Sequence, residues 1–166
     1  ADDTQGLVSG LIDNLVYDPS TGVLISSSYL DGVEYVRYAE TVCSRLRSVG
    51  AGYNLSILHE RLGSYFIAYG NLAKALKYFE EFAGLMKELY EADPKNAGFK
   101  NGLAISYANL GQFFVKHKND AEAGLPYFLK AQSIWRELKD SFPAYVEFTK
   151  YYNQVTEEVF RLNELR

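Results

Sequence analysis

Apolar positions recur at helical spacing along most of this 166-residue chain. Leu7, Val8, Leu11, Ile12, Leu15 and Val16 step by three and four, which predicts a helix with one broad apolar stripe. Asp31 stands where it would cap a second helix, whose inward face is Val33, Val36, Ala39, Val42, Cys43 and Leu46. The stretch 23–29 is short, β-branched and then polar, and reads as a connector or a frayed helix start. From about residue 51 the pattern is helical throughout. Helices are predicted over 52–69 and 72–91, split at Gly70-Asn71, then over 96–116 and 121–141, split around His117–Asp120, with a last helix over 144–164. Asp18-Pro19-Ser20-Thr21-Gly22, Asp93-Pro94-Lys95-Asn96 and Phe142-Pro143 mark the boundaries. No segment reads as a strand. Long helices joined by short turns are antiparallel neighbours, so the expected fold class is all-α.

The second half of the chain repeats itself. Leu62-Gly63 recurs as Leu110-Gly111, an offset of 48, and Leu55, Ser56 and Ile57 face Leu103, Ala104 and Ile105 at the same offset. Downstream, Leu76, Tyr78 and Phe79 match Leu125, Tyr127 and Phe128 at 49, as do Leu89 and Pro94 with Leu138 and Pro143. The extra residue is expected in the turn His117–Asp120. A third copy starts at Pro143 and Phe148 and stops after one helix. Gly63 and Gly111 fall mid-helix, where glycine costs about 1 kcal/mol relative to alanine. The cost is tolerable where a neighbouring helix must come close, and Ala75 and Gly124 supply a matching small surface.

On these residues the chain resembles the tetratricopeptide repeat family, whose unit of about 34 residues sets Leu-Gly ahead of an aromatic, a small residue, an aromatic and a late proline. Here they are Leu62-Gly63, Phe66, Ala75, Phe79 and Pro94, then Leu110-Gly111, Phe114, Gly124, Phe128 and Pro143. The long period is similar to an extended bacterial variant. The resemblance covers residues 51–160. His59 and Tyr107 replace the usual Trp, and Val159-Phe160 stands where a third Leu-Gly would be. It implies an α-α superhelix with residues 51–94 and 95–143 as repeats, a terminal helix over 144–164 as cap, and 1–50 as a degenerate repeat or cap. Single repeats cannot bury their own apolar faces, so stacking supplies the core.

Composition narrows the function. The hydrophobic fraction is 48% and the net charge −4, which excludes a disordered chain. No window approaches 18 apolar residues, so no membrane span is expected. Residues 1–50 hold seven acids against three bases, and the remainder is balanced. With a pI near 5.2 and no Lys/Arg cluster, nucleic acid is not an expected partner. A single cysteine, Cys43, excludes an internal disulfide and reads as a small hydrophobe. The chain opens on Ala1, which suggests a processed or excised piece; the expected location is cytoplasmic. His59 and Glu60 are adjacent on a helix and point about 100° apart, so they form no catalytic pair. His59 is expected to pack in the core, His117 to sit at a solvated helix end, and Glu80-Glu81 and Glu157-Glu158 to be solvated faces. No metal-ligand spacing, phosphate loop or nucleophile motif is present, so neither catalysis nor a cofactor is expected.

The resemblance therefore implies a protein-interaction module whose first helices line a groove for a peptide or helix of a partner. Position by position, that groove is Ile57, Glu60, Ser64 and Ile67, then Ile105, Ala108, Gln112 and Val115, then Gln154, Glu157 and Arg161. The family's carboxylate-clamp subclass puts basic residues where Glu60 and Ser64 stand, and only Asn109 matches one of its asparagines; a mixed apolar and polar segment is the better ligand. Two other readings stay open: a self-assembling oligomer scaffold driven by the acidic segment and Tyr29, Tyr35, Tyr38 and Tyr53, and a regulatory sensor domain of a larger protein.

Overall fold

The structure, a computed structural model, describes residues 16–18, 23–25, 36–37, 39–41 and 52–165. They divide into two compact units, residues 1–85 and 86–166. Apart from two short strands, the elements among the described residues are helices, so the protein is all-α in character.

In the first unit, β1 (Val16–Asp18) pairs antiparallel with β2 (Val23–Ile25), Val16 opposite Ile25 and Asp18 opposite Val23. This corrects the strand-free reading and takes Val16 out of the expected first helix; residues 7–15 of that helix lie outside the described residues. The two β-branched ends flank the Asp-Pro-Ser-Thr-Gly turn signal, and three residues are too few for alternation to show in the pattern. Of the expected second helix, residues 36–37 and 39–41 are helical, with Val36 and Ala39 buried as anticipated. Val33, Val42, Cys43 and Leu46 lie outside the described residues, as do Tyr29, Tyr35 and Tyr38, whereas Tyr53 is exposed.

α1 (Gly52–Ala68) buries Leu55, Leu58, Leu62, Tyr65 and Phe66 along one stripe, and α2 (Leu72–Ala92) buries Ala75, Tyr78, Phe79, Phe82 and Met86. Rings lock the two helices together. Phe66 stacks on Tyr78 at 5.7 Å with the planes 6° apart, and His59 packs tilted on Tyr78 at 5.7 Å. His59 is buried, its Nδ1 donating to the Leu55 carbonyl at 2.8 Å. The Tyr78 hydroxyl donates to Glu40 at 2.8 Å, and Lys74 Nζ reaches the same carboxylate at 3.3 Å.

The second unit holds α3 (Ala97–Gln112), α4 (Ala121–Ser141) and α5 (Val146–Glu164), with α4 packed on both others. Its core is Leu125, Phe128, Ala131, Trp135 and Leu138 of α4 with Phe148, Val155, Val159 and Leu162 of α5 and Ala104 of α3. Asn96 and Asp120 cap α3 and α4 by accepting the backbone N–H of Phe99 and Ala123. No buried side-chain polar atom among the described residues lacks a hydrogen bond.

The two helix pairs repeat contact for contact. Phe114 stacks on Tyr127 at 5.8 Å and 1°, the counterpart of Phe66 on Tyr78, and Tyr107 takes the place of His59. A Cβ on Gly63 would lie 2.9 Å from the Phe79 ring, and one on Gly111 would lie 2.8 Å from Phe128. The α1–α2 and α3–α4 turns each use a left-handed residue, Gly70 (φ 76°) and Asn119 (φ 50°), followed by a capping side chain, Asn71 or Asp120.

The offset change from 48 to 49 has a structural cause. Phe113–His117 is a π-helical turn, which inserts one residue into a helix. The Asn71 amide closes the first hairpin on the Phe66 carbonyl, and the Asp120 amide closes the second on Phe114, with one more residue enclosed. The extra residue is thus absorbed in the last turn of the helix, ahead of the turn His117–Asp120 where the alignment set it.

Candidate partner-binding cleft

α3 and α5 flank α4, and between them opens a cleft of about 340 Å³. Ala108 and Gln112, four apart, form the α3 wall; Tyr151, Gln154, Val155 and Glu158 share one stripe of α5 and form the other. Phe128 and Trp135, seven apart on α4, make the floor. Trp135 is pinned twice: its Nε1 donates to Asn101 Oδ1 at 2.8 Å, and its ring lies 5.3 Å from Tyr151. The floor is therefore aromatic and rigid.

The rim is polar. The primary amides of Gln112 and Gln154 have no hydrogen-bond partner among the described residues. Glu158 contributes a half-buried carboxylate, held by the Arg161 guanidinium with Nε 3.0 Å from Oε2 and Nη2 on Oε1. The same carboxylate holds the Arg161 pKa above its ordinary value, chiefly by accepting these hydrogen bonds.

Of the residues expected in a groove, Ala108, Gln112 and Gln154 meet in this cleft. Ile105 is half-buried against the second-unit core, and Val115 packs where a Cβ on Gly124 would touch it, so both serve helix contacts. Glu157 is exposed and outside the cleft lining, and Arg161 reaches the cleft only through Glu158. Ile57, Glu60, Ser64 and Ile67 form a half-buried stripe of α1 in the first unit.

The sequence pattern does not point to Phe128, Trp135, Tyr151, Val155 or Glu158 as lining, and Glu158, expected on a solvated face, lines the cleft. The cause is geometric. Transferring positions by the repeat carries Ala108 and Gln112 to Glu157 and Arg161, the same face of the next helix. A cleft is closed by two opposed faces, so α5 contributes the stripe 151, 154, 158 instead. The single tryptophan of the chain, seven residues after the repeat-conserved aromatic Phe128, is the signal that could have located the floor.

A second cavity of about 330 Å³ lies at the other ends of these helices, lined by Ala97, Gly98, Asn101, Phe142, Tyr145 and Phe148. Among the described residues no cluster of His, Cys, Asp and Glu could hold a metal ion, and no helix is long and apolar enough to cross a membrane. His117 is exposed at the end of the π-helical turn. No family model, curated protein or solved structure matches the chain.

Proposed function

We propose that this protein is an interaction module of tetratricopeptide-like helix pairs, and that the α3–α5 cleft receives a short segment of a partner protein. One observation carries the reading: an aromatic floor beneath two exposed amides, Gln112 and Gln154. The floor gives the pocket its shape, and the half-buried Tyr151 beside it offers apolar area that a ligand can cover in a pocket already formed. Side-chain amides both donate and accept, so they can pair with the backbone groups of an extended peptide and set its register. The matched contacts of the two hairpins support the repeat assignment.

The test is random-peptide display on the full chain, followed by calorimetry of the selected peptides on wild type and on a Gln112→Arg/Gln154→Arg variant. Two arginines across the mouth obstruct the cleft and touch no core position. Binding should fall at least tenfold while helicity is unchanged. Peptides that bind both proteins equally would move the contact elsewhere and sink the assignment.

A further inference from the structure

We infer that the cleft selects a partner segment by one arginine side chain, which displaces Arg161 from Glu158 and lies against the Tyr151 ring. This rests on the reading of the cleft as a peptide site and specifies its ligand.

The charge of the lining is one-sided. Glu158 is the single ionisable acid among its eight residues, and no lysine or arginine lines the cleft. The exposed Glu157 adds a second negative charge nearby on α5. Guanidinium groups stack on aromatic faces, and the half-buried Tyr151 on the α5 wall offers one, backed by the buried Trp135. An acidic segment would find no lysine or arginine in the lining to pair with.

Arg161 already shows how the carboxylate binds its ligand. Its guanidinium engages both Glu158 oxygens in a two-point fork, a geometry that a lysine ammonium cannot reproduce. Yet Arg161 approaches from outside, with its side chain 53% exposed against 29% for Glu158. An exposed pair three residues apart on a helix is weak. An arginine entering through the cleft would make the same fork and gain the Tyr151 face as well. Arg161 then acts as an internal competitor, keeping Glu158 satisfied while the cleft is vacant.

The competitor makes the inference testable in opposite directions. Peptides displayed on the wild-type chain should carry one enriched arginine. By calorimetry, Glu158→Gln should weaken such a peptide roughly tenfold, the loss of a charge-assisted fork. Arg161→Gln should strengthen it about threefold, since the internal rival is gone. Changing the peptide arginine to glutamine should abolish the response to both variants, and changing it to lysine should retain only part of the affinity. Glu158→Gln is isosteric, and Arg161→Gln lies at an exposed position, so the second variant decides the matter even if the first folds poorly. Selected peptides without arginine, or an affinity unmoved or lowered by Arg161→Gln, would overturn the inference. If those peptides still respond to Gln112→Arg/Gln154→Arg, the cleft remains a peptide site of different preference; if they do not, the cleft reading falls too. A chain that selects no peptide overturns both.

Discussion

Replacing Gly111 by alanine pits two effects of known size against each other. Alanine is favoured over glycine in a helix interior by about 1 kcal/mol, so propensity alone predicts a more stable protein. The new methyl, however, would sit 2.8 Å from Phe128 Cε2 and 2.9 Å from two more atoms of that ring. Phe128 is 2% exposed and packed among the core residues of the second unit. Overpacking of this kind costs about 1–3 kcal/mol, so the net change is a loss of up to about 2 kcal/mol. Gly84 in α2 provides the reference, because a Cβ there meets nothing within 4 Å and only the propensity gain applies. Gly63→Ala should behave like Gly111→Ala, its methyl lying 2.9 Å from Phe79. Gly124→Ala should be worse, since 2.8 Å from its Cβ stands the Gly111 carbonyl oxygen, a backbone atom that cannot rotate away. Urea denaturation followed by circular dichroism ranks the four. Gly84→Ala should exceed wild type, Gly63→Ala and Gly111→Ala should fall below it, and Gly124→Ala should come last. Were Gly111→Ala as stable as Gly84→Ala, close helix approach would not be the reason for the repeated glycine.

Other predictions concern the turns and a buried phenol. Asn71→Ala and Asp120→Ala each remove the side chain that accepts the backbone N–H of Lys74 or Ala123, and should each cost about 1 kcal/mol in the same denaturation assay; a loss in one hairpin alone would contradict their equivalence. Tyr65 has its pKa raised first by burial, then by the charges of Tyr69 and Glu40. The folded chain therefore holds that proton to higher pH than the unfolded chain, where the group titrates near pH 10. Its contribution is intact below about pH 10 and is lost as pH rises through the folded value. Stability should fall more steeply above pH 10 in wild type than in Tyr65→Phe, and equal slopes would refute the assignment.

The repeat was legible because its contacts are made by residues that propensity and composition single out. Glycine within a helix, stacked aromatics and a proline after each pair keep their spacing, and Gly63–Phe79 and Gly111–Phe128 meet as that spacing requires. Helix ends were legible to within a few residues for the same reason, since Asn71, Asn96 and Asp120 are strong caps. Three features were not. The β1–β2 hairpin has too few residues per strand for a period of two to register. The π-helical turn depends on how the ladder closes at Phe114, and side-chain pattern is silent about that. The α5 wall of the cleft faces against the direction of the repeat, so translation along the chain names Glu157 and Arg161 and misses Tyr151 and Glu158.

The placement of Trp135 has an optical consequence. It is the single tryptophan among fourteen tyrosines, and it lies in the second unit, hydrogen-bonded to Asn101 and packed on Tyr151. Its emission therefore reports on that unit alone, whereas tyrosine emission comes from both. With the indole fixed at the floor of the cleft, one chromophore registers both the melting of the α3–α4–α5 assembly and the arrival of anything that enters between α3 and α5. No label needs to be attached to follow either event.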